Sequence, residues 1–236
     1  MNINLAEETS MSLTGDWTSP EAERLSKAWF DAIAMDHKLP DNIRYMEGMS
    51  GRKYRYLINN LIAATTDARY LEIGSYLGST ACSAMYGNKA KVTCIDNFSD
   101  HYFLGKSPKE GFFKNTDSAR NDDIDFTFIE SDFRKVDVHS LGKHNIYMFD
   151  GPHNKQDQID GITMFQDALD DVYTLIVDDW NGANERDGTK EALDALGHTI
   201  LARIDIITRW DGKHPDLCFS GSDWHNGYLL AVVSKK

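Results

Sequence analysis

Short apolar runs separated by longer mixed stretches set the rhythm of the chain beyond residue 67. They are Arg69–Ile73, Lys91–Asp96, Asp125–Ile129, Asn145–Asp150 and Tyr173–Asp178. Their interiors are almost continuously hydrophobic, as in strands covered by helices on both faces. The intervening segments are helical or loop-like, with a helix predicted over Asn184–Leu196. That alternation predicts an open, mostly parallel α/β sheet. Thr199–Trp210 and Gly227–Ser234 read as two further strands, and the Gly- and Asp-rich stretch between them predicts an antiparallel pair closing the sheet edge. Ahead of residue 67 the period changes. Ser19-Pro20-Glu21-Ala22-Glu23 reads as a helix start with Ser19 as N-cap, and the helix runs to about Met35. From Arg52, a second helix is predicted by Tyr54, Leu57, Ile58, Leu61 and Ile62 on one face. Residues 1–19 are polar and read as a loose arm. The chain therefore divides into an arm and helical cover, 1–66, and an α/β unit, 67–236.

Composition narrows the function classes. The 236 residues carry a formal net charge of −12, which disfavours attraction to nucleic-acid phosphate or to an anionic membrane surface. Cys82, Cys94 and Cys218 are scattered and odd in number. They form neither a disulfide framework nor a paired zinc spacing, and Cys82 and Cys94 read as core residues. The N-terminus lacks the basic start and apolar run of a signal peptide, and no apolar stretch approaches 18 residues. The expectation is a soluble protein in a reducing cytoplasm; a homo-oligomer is compatible with the sequence.

Chemistry gathers at the strand ends. Glu72, Asp96, Asp150 and Asp178 stand at or next to the ends of four runs, and Glu130 and Asp132 lie just past the fifth. In a parallel sheet those ends share one rim, where ligands bind. After the first run comes Glu72-Ile73-Gly74-Ser75-Tyr76-Leu77-Gly78-Ser79-Thr80, an E-x-G-x-x-x-G turn from strand to helix. It lacks the G-x-G-x-x-G of a dehydrogenase. Gly105-Lys106-Ser107 ends like a phosphate loop, but Asp100 stands where its first glycine belongs and no strand precedes it directly.

This order of motifs over roughly residues 67–180 resembles the class I S-adenosylmethionine-dependent methyltransferases. The resemblance implies a Rossmann-like seven-stranded sheet with an antiparallel C-terminal edge and an N-terminal helical extension over the cleft. It also implies cofactor contacts from Glu72, the loop residues Gly74, Ser75, Tyr76, Gly78, Ser79 and Thr80, and Asp150. Asp96, with Asn97 beside it, would accept both ribose hydroxyls. Ser131 or Asp132 would meet the adenine amino group, with Phe133 beside the ring.

Within that superfamily, Asp150-Gly151-Pro152-His153 resembles the D-G-x-H segment of small-molecule and sugar O-methyltransferases. By likeness to the catechol-type enzymes, Asp150, Asp178 and Asp179 would hold a divalent cation, Mg²⁺ suiting the hard oxygen donors. Asp150 and His153 are the catalytic candidates, His153 as base because its pKa lies near neutrality. The catechol-type enzymes carry a lysine there. Asp178 and Asp179 could instead cap the following helix, His153 could be structural, and Arg186 or Lys155 could neutralise the acids. Asn181 is a further candidate for orienting substrate or water, and Arg52 and Lys53 for reaching the cofactor carboxylate. The implied reaction is methyl transfer to a small-molecule or sugar hydroxyl. The alternatives are a metal-free methyltransferase and a cofactor-binding protein without activity.

Overall fold

Alternation along the strands decides what each face of the sheet buries. In the computed structural model, which describes residues 9–100, 105, 107–215 and 219–236, eight strands form one sheet. They are β1 (Ser10–Gly15), β2 (Ala68–Ile73), β3 (Ala90–Asp96), β4 (Ile124–Glu130), β5 (His144–Phe149), β6 (Leu169–Val177), β7 (Thr199–Ile207) and β8 (Tyr228–Ser234), in the order β1-β7-β8-β6-β5-β2-β3-β4. The five strands β4-β3-β2-β5-β6 are mutually parallel, as the apolar runs predict.

Tyr70, Val92, Ile146, Met148 and Ile176 point to one face. Their neighbours Leu71, Ile95, Tyr147, Phe149, Leu175 and Val177 point to the other. The first face is covered by α1 (Pro20–Ile33), α3 (Arg52–Ala64), α4 (Ser79–Met85) and α5 (Lys109–Ala119), with the short α2 (Asp41–Arg44) beside them. The second face is covered by α6 (Lys155–Met164) and α7 (Ala183–Leu196). Each fully buried aliphatic or aromatic side chain in these layers contributes about 1.5–3 kcal/mol. Cys82 and Cys94 are both buried free thiols within the first layer.

The N-terminal helices share this core. Ser19 caps α1 by accepting from the Ala22 amide at 3.2 Å, and Trp29 on its buried face stacks on Trp224 with centroids 5.1 Å apart. Gly51 opens α3 against the 222–223 backbone, whose carbonyls accept from the Arg52 and Lys53 amides.

Two expectations change. The arm is not loose throughout: Ser10–Gly15 forms a strand antiparallel to β7, from Ser10↔Ile207 to Gly15↔Ala202. All six residues are exposed, so the strand buries no face; main-chain pairing with β7 defines it, with Ser12 Oγ donating to Asp205 Oδ2 at 3.4 Å. The sheet therefore has eight strands. The C-terminal strands do pair antiparallel, but β8 inserts between β6 and β7, leaving β1 on the edge.

Candidate active site

The parallel ladder delivers the strand ends to one rim. Ile73 pairs with both Ile95 and Phe149, Phe149 with Val177, and Asp96 with Glu130. Beyond the strands, the Gly74 amide donates to the Ile95 carbonyl at 3.0 Å and the Asp150 amide to the Ile73 carbonyl at 2.9 Å. The chain steps from β2 to β3 on one side and returns to β5 on the other, so the crevice opens above β2.

The glycine loop lies in that crevice. Gly74 has φ +83°, and a Cβ there would run into the Asp150 carbonyl oxygen, so only glycine lets the loop pass beside the exit of β5. Tyr76 is also left-handed, at φ +47°, a conformation costing a non-glycine residue about 1–3 kcal/mol. What holds it is Asp96, whose Oδ2 accepts from the amides of Ser75 (2.7 Å) and Tyr76 (2.8 Å). Its Oδ1 accepts from the Phe98 amide at 2.6 Å. Three of the roughly four acceptor positions of this carboxylate are thus filled, leaving room for one further donor rather than two.

Above the loop is a cleft of about 310 Å³. Of the expected residues, Gly74, Tyr76, Asp96, Asn97, Ser131, Asp132, Phe133, Asp150 and His153 line it, and Met49 joins them from the N-terminal cover. Phe133 stands edge-on to Phe149, with the Arg134 guanidinium 4.4 Å from its ring centre. Glu72, Ser75, Gly78, Ser79 and Thr80 do not line the cleft; all are buried behind the loop. The Ser79 hydroxyl is 2.8 Å from that of Ser50. Glu72 takes a 2.6 Å bond from the Tyr70 hydroxyl on Oε2, while Oε1 has no hydrogen-bond partner among the described residues. Burial pushes its carboxyl up to about 7, against some relief from Tyr70, Ser75 and Thr80.

The acids after β5 and β6 do converge. Asp150 and Asp178 face each other at hydrogen-bonding reach, and both carboxyls are pushed up, first by burial and then by neighbouring carboxylates. Such a pair keeps one proton between its members. Asp179, left-handed at φ +55°, turns the other way. Its Oδ1 accepts from Asn226 Nδ2 at 2.7 Å and its Oδ2 sits 3.1 Å from His153 Nδ1, with Glu185 Oε1 at 3.7 Å from the same nitrogen. Burial alone would lower the His153 pKa, but Asp179, Asp150 and Glu185 outweigh it and hold the imidazole above 6.5.

The expected cation is not supported. Among the described residues, no group of three or more His, Cys, Asp or Glu side chains is arranged to hold a metal ion. The oxygens are engaged otherwise: Asp150 with Asp178, Asp178 Oδ1 with the Asp179 amide at 2.7 Å, and Asp179 with Asn226 and His153. Neither suggested cation neutralises them, for Lys155 pairs with Glu191 and Arg186 donates to the carbonyls of Trp180 and Asn181.

Other assignments shift as well. Gly182, not Asp178 or Asp179, is the N-cap of α7. Asn181 is wholly buried and spends its amide on Thr208, Lys213, Asn226 and the Arg209 backbone, so it anchors the loop after β7 instead of facing substrate. Arg52 and Lys53 pair with Asp223. Phe112 and Phe113 pack with Phe98 and Phe128 as an aromatic cluster. Sequence reading misses Glu185 and Asn226, though the first stands in the opening turn of α7 and the second just before β8.

No protein-family model and no curated protein matches the chain. Among solved structures, it is similar to the O-methyltransferase TomG from Streptomyces achromogenes, involved in tomaymycin synthesis and crystallised in complex with SAM. That likeness has a TM-score of 0.52 at 16% identity and covers 90% of each chain. The fold is the methyltransferase fold. Cofactor-bound Rv0187 from MTB is similar at TM-score 0.51 and 16% identity, over 91% of this chain and 89% of that one. P. horikoshii TYW2 in complex with MeSAdo gives 0.51 at 16%, over 84% and 67%. Among the described residues no helix is long and apolar enough to cross a membrane.

Proposed function

We propose that the chain transfers the methyl group of S-adenosylmethionine to a hydroxyl of a small molecule or sugar, with His153 as general base and no metal ion. The observation that carries this is the juxtaposition, on one cleft, of a glycine loop fastened by Asp96 and a histidine fastened by Asp179. The residues fit the cofactor. Gly74 leaves a cradle that any side chain would fill, Asp96 keeps one acceptor position for a ribose hydroxyl, and Phe133 with Ser131 and Asp132 forms a wall for the adenine. Glu72 is buried behind the loop, where it accepts from the Tyr70 hydroxyl. The carboxylates are engaged with one another, with Asn226 and with His153, which favours the metal-free form.

When bound, S-adenosylmethionine supplies an electrophilic methyl on sulfur. Nδ1 of His153 is held by Asp179, which leaves Nε2 to accept the proton of the acceptor hydroxyl as its oxygen bonds to carbon and the sulfur–carbon bond breaks. The resulting imidazolium lies beside Asp179 and Glu185, which stabilise it.

Titration calorimetry with S-adenosylmethionine tests the first step, and a panel of acceptor alcohols screened for a mass gain of one methylene, with and without chelator, tests the second. Saturable binding and chelator-resistant methylation are expected. Absence of binding at about 1 mM ligand, an affinity near −4 kcal/mol, refutes the reading. Loss of methylation in chelator, restored by Mg²⁺, refutes its metal-free form.

A further inference from the structure

Arg55 lies on the buried side of α3 and is completely inaccessible to solvent. Its acceptors are carbonyls and one hydroxyl, all within residues 43–50. Nε donates to Ser50 Oγ at 2.9 Å, and Nη1 to the carbonyls of Ile43 (3.0 Å), Arg44 (3.2 Å) and Met46 (2.9 Å). Nη2 donates to Gly48 O at 3.2 Å. Burial draws the guanidinium down to about 10, so it stays charged at neutral pH. A buried cation is costly unless its donors are satisfied, and only a planar fork with five N–H groups reaches so many acceptors at once.

What the fork holds presses on the glycine loop. Gly48 lies so close to Ser79 that a Cβ would meet its side chain, and Ser50 Oγ is 2.8 Å from Ser79 Oγ. Ser79 is the first residue of α4, directly after Gly78. One turn beyond Arg55, Asn59 donates to the carbonyls of Ser83 and Tyr86 at 2.9 Å each, fixing the other end of α4. Helix α3 thereby sets the spacing between residues 43–50 and the helix that carries the loop. From the same segment Met49 enters the lining of the cleft.

We propose that Arg55 is a positioning residue for the cofactor: it fastens residues 43–50 as a strap over the glycine loop, so that Met49 forms a wall of the cleft. The proposal rests on the reading of that cleft as the S-adenosylmethionine site. A purely structural arginine would lower stability and leave the affinity of folded protein unchanged.

The test compares the full-length wild type with Arg55→Lys, Ser50→Ala and Met49→Ala by calorimetric titration with S-adenosylmethionine, thermal melting, and amide exchange over residues 43–50. Ser50→Ala and Met49→Ala are expected to melt within a few degrees of wild type yet bind about fivefold or more weakly. Arg55→Lys is expected to lose about thirtyfold in affinity and to exchange faster over the strap, with the central strands unchanged. Wild-type affinity in the folded variants overturns the proposal. If Arg55→Lys does not fold, the other two variants decide it. A wild type that binds no S-adenosylmethionine overturns the reading of the cleft, and this proposal with it.

Discussion

Glu72→Gln should gain stability relative to wild type as pH rises from 4 to 8, while weakening cofactor binding. The Glu72 carboxyl is completely buried and pushed from 4.5 up to about 7, chiefly by burial. In the unfolded chain it ionises near 4.5, so the folded state suffers progressively as pH rises from there, and the full cost is reached above about 7. At about 1.4 kcal/mol per pH unit the cost amounts to about 3 kcal/mol. Glutamine never ionises. Its carbonyl oxygen can still accept from the Tyr70 hydroxyl, now 2.6 Å from Oε2, whereas its amide must find a partner where Oε1 has none. That second effect is the same at every pH and cancels in a difference. Urea denaturation of both proteins at pH 4 and pH 8 therefore isolates the ionisation. The stability of Glu72→Gln relative to wild type should rise by about 3 kcal/mol between the two. Affinity for S-adenosylmethionine should fall in the same variant, a stability–function trade-off. A change below about 1 kcal/mol between the two pH values would refute the burial argument.

Other perturbations probe the rest of the site. Turnover should decline as pH falls through a value above 6.5, where His153 takes its proton; in Asp179→Asn, without the carboxylate at 3.1 Å, the decline should move to lower pH, as a pH profile of kcat/KM will register. Gly74→Ala combines a left-handed φ of +83° with a collision at the Asp150 carbonyl, and should cost about 2–4 kcal/mol of stability and abolish cofactor binding by calorimetry. His144 is fully buried, lies 3.1 Å from Thr93 Oγ1, and is pulled from 6.5 down to about 4, mainly by burial. Its stabilising contribution is present above pH 6.5 and is lost between 6.5 and 4, about 3 kcal/mol in all, so His144→Gln should flatten that part of the acid-denaturation curve.

The five parallel strands are legible in sequence because a strand covered on both faces must be apolar along its length, and Leu71, Val92, Tyr147 and Leu175 leave no other reading. Strand β1 is illegible for the opposite reason: Ser10-Met11-Ser12-Leu13-Thr14-Gly15 buries nothing and is held by backbone bonds, which any residue except proline can make. At the site, the gathering of Asp96, Asp150 and Asp178 on one rim follows from strand polarity. The partner each carboxylate takes does not. Asp179 reaches His153 and Asn226 from a left-handed backbone, and an aspartate in sequence does not announce that turn. Asn181 looks like a substrate contact by its position beside two acids, yet its amide closes a loop contributed by residues 27 to 45 positions away.

The exposed ribbon formed by β1 also shields its neighbour. Along β7, Ile204 and Ile206 are fully buried, and β1 supplies the hydrogen bonds on the outer side of that strand. A chain lacking residues 1–19 would present an open, isoleucine-rich border to other molecules, a ready template for edge-to-edge stacking. Poor solubility of such a truncation would thus reflect a lost guard strand and say nothing about catalysis.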